Sequence, residues 1–322
     1  MLKIIILILI VLVGLFVLWM IYENQTLTTT SYEIYSKRIS ESNDGTKFVV
    51  IADLHNNQFG ENNHRLIDKI DDIQPEFIMI TGDLFVAKDY NFDYAYDLLK
   101  QLAKKYTIFY SYGNHEQKIE EYESRFKEND WKVRVSHRDK KKIQTFKEYK
   151  SLVRDLGVSF LDNEDIVLKT MRGGNIHILG GTIGLEYFKR FHRPSMTCSY
   201  LKDCFGECHK NEYQILAAHN PMYFEYYAKW GADLILSGHV HGGMVRLPLL
   251  GGMISPQMQI FPKYDAGAFS YQVGRRTSNL IVSRGLGIHT LKIRVFNRPE
   301  LVSVTLKHST SERIQRNKKV IS

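Results

Sequence analysis

Short apolar runs recur along the chain, separated by stretches in which apolar residues return at helical spacing. Continuous apolar runs of this length are typical of parallel strands that are covered on both faces. The alternation of such strands with helices predicts an α/β domain. The predicted strands are Phe48–Ile51, Phe77–Ile80, Ile108–Tyr110, Ile215–Ala218 and Leu234–Leu236. The predicted helices lie near Asn63–Ile73, Phe92–Lys104, Thr145–Asp155 and Met222–Lys229.

The N-terminal segment has a different pattern, because residues 4–22 are apolar throughout. This length is sufficient for the roughly 20 residues with which a helix spans a bilayer. A signal peptide has a shorter apolar core and small residues at its cleavage site. Here Trp19 and Tyr22 stand at that place, and both fit the aromatic belt of a membrane interface. The pattern favours an uncleaved, single-pass transmembrane anchor over a signal peptide or a buried core helix.

Charge around the apolar segment bears on its orientation. The terminal amine and Lys3 precede it, whereas Glu23 and Glu33 follow it and come before Lys37 and Arg38. The positive-inside rule then favours a cytoplasmic N-terminus and an extracytoplasmic main domain. The predicted organisation is an anchor at 1–23, a polar tether at 24–45, a main domain at 46–306 with a charged insertion at 117–150, and a basic disordered tail at 307–322.

The 322 residues carry a formal net charge of +8, which raises the question of a nucleic-acid partner. Much of the excess lies in the insertion and the tail, where attraction to anionic lipid explains it equally well. A nucleic-acid partner is therefore disfavoured. The insertion fits either a lid over an anionic substrate or a solvated helical face. Cys198, Cys204 and Cys208 lack paired C-x-x-C spacing, which favours one disulfide plus a thiol, or three free thiols, over a zinc knot.

Residues of metal-binding type follow each predicted strand. In open α/β sheets, ligands bind just beyond the carboxyl ends of the strands. Each motif alone is more often a turn or a helix cap, but their occurrence in order, each at a strand end, favours a metal centre. The motifs are Asp53-Leu54-His55, Gly82-Asp83, Gly113-Asn114-His115-Glu116, His219-Asn220-Pro221 and Gly238-His239-Val240-His241-Gly242.

These residue types fit a centre with two divalent cations. Two cations roughly 3.5–4 Å apart can clamp a phosphate and generate a metal-bound hydroxide that attacks phosphorus. Asp83 is the candidate bridging carboxylate, and His115 is the candidate general acid that protonates the leaving oxygen. Imidazole ligands suit Mn, Fe, Zn or Co. The other predicted ligands are Asp53, His55 and His241 at the first metal and Asn114, His219 and His239 at the second.

This ordered set of motifs resembles the calcineurin-like metallophosphoesterase superfamily over about residues 46–306. The segments Ser283–Gly287 and Phe296–Leu301 are similar to a bacterial membrane-associated branch of UDP-2,3-diacylglucosamine pyrophosphatase-like enzymes. The resemblance implies a four-layer αββα sandwich and supports the ligand roles given above.

The function that we expect is a membrane-anchored, metal-dependent phosphoesterase. It would hydrolyse a phosphodiester or pyrophosphate bond in a small or lipid-linked substrate and would contact the membrane through residues 4–22. The alternative is a nuclease or nucleotide phosphodiesterase on the same scaffold. A non-catalytic binding platform is a third hypothesis, and the intact set of metal-binding residues argues against it.

Overall fold

A computed structural model describes residues 1–125, 142–209, 211–247, 250–255, 259–288 and 293–317. Its α-helices are α1 (Leu2–Gln25), α2 (His64–Ile73), α3 (Asp93–Leu102), α4 (Asn114–Arg125), α5 (Phe146–Asp155), α6 (Cys198–Phe205) and α7 (Phe224–Trp230). Its strands are β1 (Thr28–Ser36), β2 (Lys47–Ile51), β3 (Phe77–Ile80), β4 (Thr107–Ser111), β5 (Ser159–Leu161), β6 (Asp165–Lys169), β7 (Asn175–Gly181), β8 (Tyr213–Ala218), β9 (Leu234–Ser237), β10 (Val245–Leu247), β11 (Gly251–Ile254), β12 (Gly267–Val273), β13 (Arg276–Val282), β14 (Glu300–His308) and β15 (Arg313–Asn317).

The strands form two large sheets and a small hairpin. The first sheet has the order β15-β1-β14-β2-β3-β4-β5, the second has the order β12-β13-β9-β8-β7-β6, and β10 pairs with β11. Strands β2 to β5 are parallel to one another, as are β7, β8, β9 and β13. All five strands predicted from apolar runs are therefore present, and each has a parallel neighbour, although β2 also pairs antiparallel with β14. The five strands are divided between two sheets.

The two sheets pack face to face, and each is covered by helices on its outer face. Along β2, Phe48 and Val50 point toward the second sheet, whereas Val49 and Ile51 pack against the helical layer that contains α2, α3 and α5. The outer face of the second sheet packs against α6 and α7. Because both faces of these strands are buried, no polar position interrupts their sequence. The predicted four-layer αββα sandwich is confirmed.

Residues 24–45 do not form the predicted tether. Within them, β1 pairs in parallel with β14 and antiparallel with β15, at the edge of the first sheet. Tyr32 and Ile34 alternate into the core between the sheets, where they are 1% and 0% exposed. The threonines and alternating aromatic and aliphatic residues of this segment are typical of a half-buried strand. The polar, threonine-rich start of the segment, residues 24–30, explains why its sequence predicts a tether.

The prediction of a disordered tail at 307–322 is also wrong for residues 307–317, which the structure describes. Strand β14 continues to His308, and Arg313–Asn317 form β15. β15 is held by backbone pairing with β1, a long-range contact that the basic composition of the tail does not reveal. Residues 318–322 lie outside the described residues.

The charged insertion 117–150 is described in part. Its first residues belong to α4 and its last to α5, in which the Thr145 side chain accepts a hydrogen bond from the Glu148 N–H. Residues 126–141, which contain Trp131 and most of the basic run, lie outside the described residues, so the choice between lid and solvated face stays open. The cysteines Cys198, Cys204 and Cys208 form no disulfide within the described structure.

Candidate metal centre

The carboxyl ends of strands from both sheets meet at one place, and the predicted site residues lie there. β2, β3 and β4 contribute from the first sheet, and β8 and β9 contribute from the second. All eight predicted residues are buried, with exposures between 0% and 6%. They are Asp53, His55, Asp83, Asn114, His115, His219, His239 and His241.

One group of candidate ligands consists of Asp53, His55 and His241. The Nε2 atoms of His55 and His241 are 3.2 Å apart. Asp53 Oδ1 lies 3.6 Å from Nε2 of His241 and 3.9 Å from Nε2 of His55. Two imidazole nitrogens and a carboxylate oxygen that converge in this way could bind one cation.

A second group consists of Asp83, His219 and His239, whose candidate ligand atoms lie within 4.8 Å of one another. Nε2 of His219 is 3.1 Å from Asp83 Oδ2. The same Asp83 oxygen lies 3.9 Å from Nε2 of His55 in the first group. Asp83 therefore stands between the two groups, as a bridging carboxylate must.

Asn114 supplies an observation of a different kind. Its side chain is 5% exposed, and its Oδ1 has no hydrogen-bond partner among the described residues. A buried amide oxygen without a partner is costly, whereas a cation would satisfy it. The donor set of imidazole, carboxylate and amide groups fits a pair of divalent metal ions.

Backbone carbonyls orient two of the imidazoles. Nδ1 of His219 lies 2.7 Å from the Thr81 carbonyl oxygen, and Nδ1 of His241 lies 3.0 Å from that of Gly287. In the neutral form of each ring, Nδ1 therefore carries the proton and donates it, which leaves Nε2 as the lone-pair nitrogen that faces the centre. Metal-binding histidines commonly have this arrangement.

Five candidate ligands adopt the left-handed backbone conformation, which is uncommon outside glycine. Their φ values lie between 48° and 70°, and strained backbone of this kind concentrates at functional sites. Gly238 allows a close approach here, because a Cβ at that position would clash with the Asp53 carboxylate. The N–H of the next residue donates to both oxygens of that carboxylate at 3.0 Å. The five residues are Asp53, His55, Asp83, His239 and His241.

His115 lies beside the two groups. The Ala87 N–H donates a hydrogen bond of 2.9 Å to its Nδ1, so a neutral ring carries its proton on Nε2. Nε2 lies 3.9 Å from Asp83 Oδ2. The ring therefore presents an N–H group beside the candidate bridging carboxylate, where a proton donor to a leaving oxygen would be needed.

The electrostatics reflect two carboxylates that share one buried space. Burial, followed by repulsion from Asp83, raises the pKa of Asp53 to about 7 although His219 opposes it. Burial would also raise the pKa of Asp83, but His219, His115 and His55 together hold it well below its usual value. Burial lowers the pKa of His219, and the two carboxylates outweigh this and raise it to about 9. The pair is thus stabilised by nearby positive charge, which two dications would supply.

Glu116 belongs to one of the motifs, yet its position in the sequence indicated no role. It is 0% exposed, and the N–H groups of Asp83 and Gly113 each donate to its Oε2 at 2.9 Å. Its Oε1 accepts from the Leu84 N–H at 3.1 Å and from the Tyr110 hydroxyl at 2.7 Å. Glu116 therefore joins the loop that carries Asp83 to the loop that carries Asn114.

We expect Glu116→Gln to destabilise the protein by about 2–3 kcal/mol, because an amide NH2 would face donors and leave them unsatisfied. Urea unfolding of the full chain in detergent measures the loss. Glu121→Gln on the more exposed part of the same helix is the matched control and should change stability by less than about 0.5 kcal/mol. Equal stability of the two variants would contradict the joining role.

The sequence pattern does not predict a role for Arg294 either, and nothing in its sequence context indicates that it is buried beside the site. It is 0% exposed, and its guanidinium donates to the carbonyls of Arg284, Gly285 and Gly287. The Asn297 amide donates to the His241 carbonyl at 2.7 Å. The loop after β13 therefore supports the loop that carries His239 and His241, through contacts between residues far apart in the chain.

A cavity of about 520 Å³ is lined in part by Val240, which lies between the two histidines of the last motif. Phe261 and Lys263 line it, together with Arg190 and Phe191. The glycine, proline and aromatic residues clustered in 244–274 predict loops around the rim of the site, but the structure also has the strands β10, β11 and β12 there. Part of that segment borders this cavity, while residues 248–249 and 256–258 lie outside the described residues.

A four-layer sandwich with carboxylate and imidazole groups at its strand ends defines a metal-dependent hydrolase. The family model of calcineurin-like phosphoesterases matches residues 46–243. The chain belongs to the calcineurin-like phosphoesterase family, whose members depend on two metal ions, and it is a hydrolase of phosphoester bonds.

Three curated proteins are similar in sequence to most of the chain. It is 27% identical over 292 residues to the uncharacterized metallophosphoesterase YkuE of Bacillus subtilis, covering 88% of this chain and 87% of that protein. It is 26% identical over 294 residues to the UDP-2,3-diacylglucosamine pyrophosphatase LpxG of Chlamydia muridarum, and that alignment covers 80% of this chain and 82% of that protein. It is 23% identical over 283 residues to a transmembrane protein with metallophosphoesterase domain of Danio rerio, covering 86% of this chain and 56% of that protein.

The membrane prediction is supported in part. Helix α1 is long and apolar enough to cross a bilayer, and its most apolar window is not buried against the rest of the protein. One relative is described as a transmembrane protein. The side of the membrane on which the catalytic domain lies stays a prediction.

Proposed function

We propose that the chain is a membrane-anchored phosphoesterase that hydrolyses a phosphodiester or pyrophosphate bond in a lipid-linked substrate. The observation that carries the proposal is the position of the Asp83 carboxylate between two groups of histidine and aspartate side chains. Two divalent ions bound there would polarise the phosphoryl group and supply the nucleophile from water.

The side chains have separate roles in this proposal. Asp53, His55 and His241 would hold one ion, Asn114, His219 and His239 would hold the other, and Asp83 would serve both. Two carboxylates against two dications leave excess positive charge, which attracts the phosphoryl group. His115 donates a proton from Nε2 to the leaving oxygen.

Two further observations support the lipid-linked substrate. The apolar helix α1 would hold the enzyme at a bilayer, with the extracytoplasmic side favoured by the charges that flank it. A relative that matches 80% of the chain acts, by its name, on a diacylated sugar nucleotide. Both favour a substrate that carries acyl chains over a nucleic acid.

A substrate panel tests the proposal with the full chain in detergent and several divalent metals. We expect turnover of bis(p-nitrophenyl) phosphate, loss of turnover with EDTA, and recovery on addition of Mn²⁺, Fe²⁺, Zn²⁺ or Co²⁺. A lipid-linked nucleotide pyrophosphate should be hydrolysed faster than a short oligonucleotide. Absence of turnover with two metal ions bound would support a binding platform, and faster cleavage of the oligonucleotide would support a nuclease.

A further inference from the structure

The last turns of α1 are docked on the catalytic domain. The ring of Trp19 lies 5.2 Å from that of Phe296. Arg298 donates from Nε to a carboxylate oxygen of Glu23 at 2.9 Å, and Glu23 is only 3% exposed. α1 is followed after two residues by β1, so no flexible segment separates the helix from the first sheet. The helix therefore has a defined position relative to the metal centre.

A cavity of about 210 Å³ extends between the end of this helix and the metal centre. Ile21, Asn24 and Gln25 of α1 line it, and so does His55, whose Nε2 is 3.2 Å from that of His241. The same space is thus bounded by the anchor and by a candidate metal ligand. A solute that enters beside the helix end reaches the first group of ligands without crossing the protein core.

The charge of the cavity suits an anion. Arg294 lines it, is fully buried, and donates from its terminal nitrogens to backbone carbonyls. Its Nε has no hydrogen-bond partner among the described residues. Within the same described part of the chain, its guanidinium donates to carbonyl oxygens and to no carboxylate. This buried positive charge lies beside the centre and would attract a phosphoryl group.

The size of the cavity limits what it accepts. Pockets that enclose a whole small molecule usually occupy about 300–1,000 Å³, and this one is smaller. It accommodates a phosphorylated head group, while the remainder of the substrate stays outside. That remainder would lie next to Ile21 and the exposed apolar surface of α1, and so within the bilayer.

We propose that the C-terminal turn of α1 is one wall of the substrate entrance, through which the phosphorylated head group of a bilayer-embedded lipid reaches the metal centre. The inference rests on the proposed function. In this arrangement the anchor holds the enzyme at the surface and also guides a lipid head group to the first group of ligands. A soluble phosphodiester does not need this guidance.

The full chain in phosphatidylcholine vesicles tests the proposal with two substrates that share a p-nitrophenyl leaving group. One is soluble bis(p-nitrophenyl) phosphate, and the other is a diacyl lipid with a p-nitrophenyl phosphodiester head group. A flexible Gly-Ser linker inserted between Gln25 and Thr26, combined with Phe296→Ala and Arg298→Ala to remove both contacts with α1, undocks the helix. We expect kcat/KM for the lipid to fall at least about tenfold, equivalent to about 1.4 kcal/mol, with little change for the soluble ester. The same linker between Gly274 and Arg275, in the exposed turn between β12 and β13, is the control and should change neither rate.

A substitution tests the cavity itself. Asn24→Trp fills the space beside the helix end and should slow hydrolysis of the lipid, whereas Leu15→Trp, in an exposed part of the same helix, should not. Unchanged lipid hydrolysis in the Asn24→Trp and linker variants would overturn the entrance. Equal slowing of both substrates by the Gln25–Thr26 linker would also overturn it, since the helix would then only support the fold. If the unmodified chain hydrolyses neither substrate, the proposed function itself fails.

Discussion

Asp83→Asn is expected to abolish turnover and to reduce bound metal below two ions per chain. The Asp83 carboxylate stands between the two groups of candidate ligands, with the same oxygen 3.1 Å from His219 Nε2 and 3.9 Å from His55 Nε2. A neutral amide cannot offset two dications, and its NH2 group would face nitrogens that need a cation. We expect a loss of more than about 10³-fold in kcat/KM, beyond the 10–100-fold cost typical of changes outside the ligand set.

The substitution changes little else. Asparagine has the shape of aspartate, and its Oδ1 can still accept the hydrogen bond of 2.8 Å from the His115 N–H. Metal content by mass spectrometry and thermal unfolding, together with turnover, separate loss of metal from loss of fold. Asp68→Asn, on the exposed face of α2, is the matched control and should keep both metals and full turnover. An Asp83→Asn variant with two metal ions and unimpaired turnover would refute the bridging role.

The sequence predicted those parts of the fold in which local pattern and burial agree. β2 and β3 read as unbroken apolar runs because both faces are covered, and the polar residues after them lie at the strand ends that meet in space. The pattern did not reveal that the five predicted strands are divided between two sheets, because an apolar run carries no information about its partner strand. The clustering of the motifs followed from their order and from chain topology, and not from any one motif.

The features that the sequence pattern predicted wrongly or did not predict have a common physical cause. The polar, threonine-rich stretch at residues 24–30 predicts a tether, and only the pairing of β1 with β14 and β15 makes the segment a strand. Glu116 and Arg294 act through hydrogen bonds to backbone groups, which have no signature in side-chain sequence. The docked end of α1 depends on contacts with Phe296 and Arg298 near the other end of the chain. Long-range pairing of this kind becomes visible only in three dimensions.

The proposed general acid can be separated from the metal ligands by a substitution at His115. Its Nδ1 accepts the Ala87 N–H, and its Nε2 faces Asp83. Alanine removes both functions, whereas asparagine keeps an acceptor near the position of Nδ1 and lacks an equivalent of Nε2. We expect both His115→Ala and His115→Asn to retain two metal ions, with turnover of a dialkyl phosphodiester reduced by about 10²–10⁴-fold, the usual range for loss of a general acid.

The dependence on the leaving group distinguishes proton donation from simple binding of phosphate. An alkoxide needs a proton as it leaves, whereas p-nitrophenolate is already a stable anion. The loss of kcat in His115→Asn should therefore be large for a dialkyl phosphodiester and much smaller for bis(p-nitrophenyl) phosphate. His64→Asn, at an exposed position in α2, is the control and should affect neither. Equal losses with both leaving groups would mean that His115 contacts the phosphoryl oxygens, and the proton donor would then have to be sought among the other groups that face the centre.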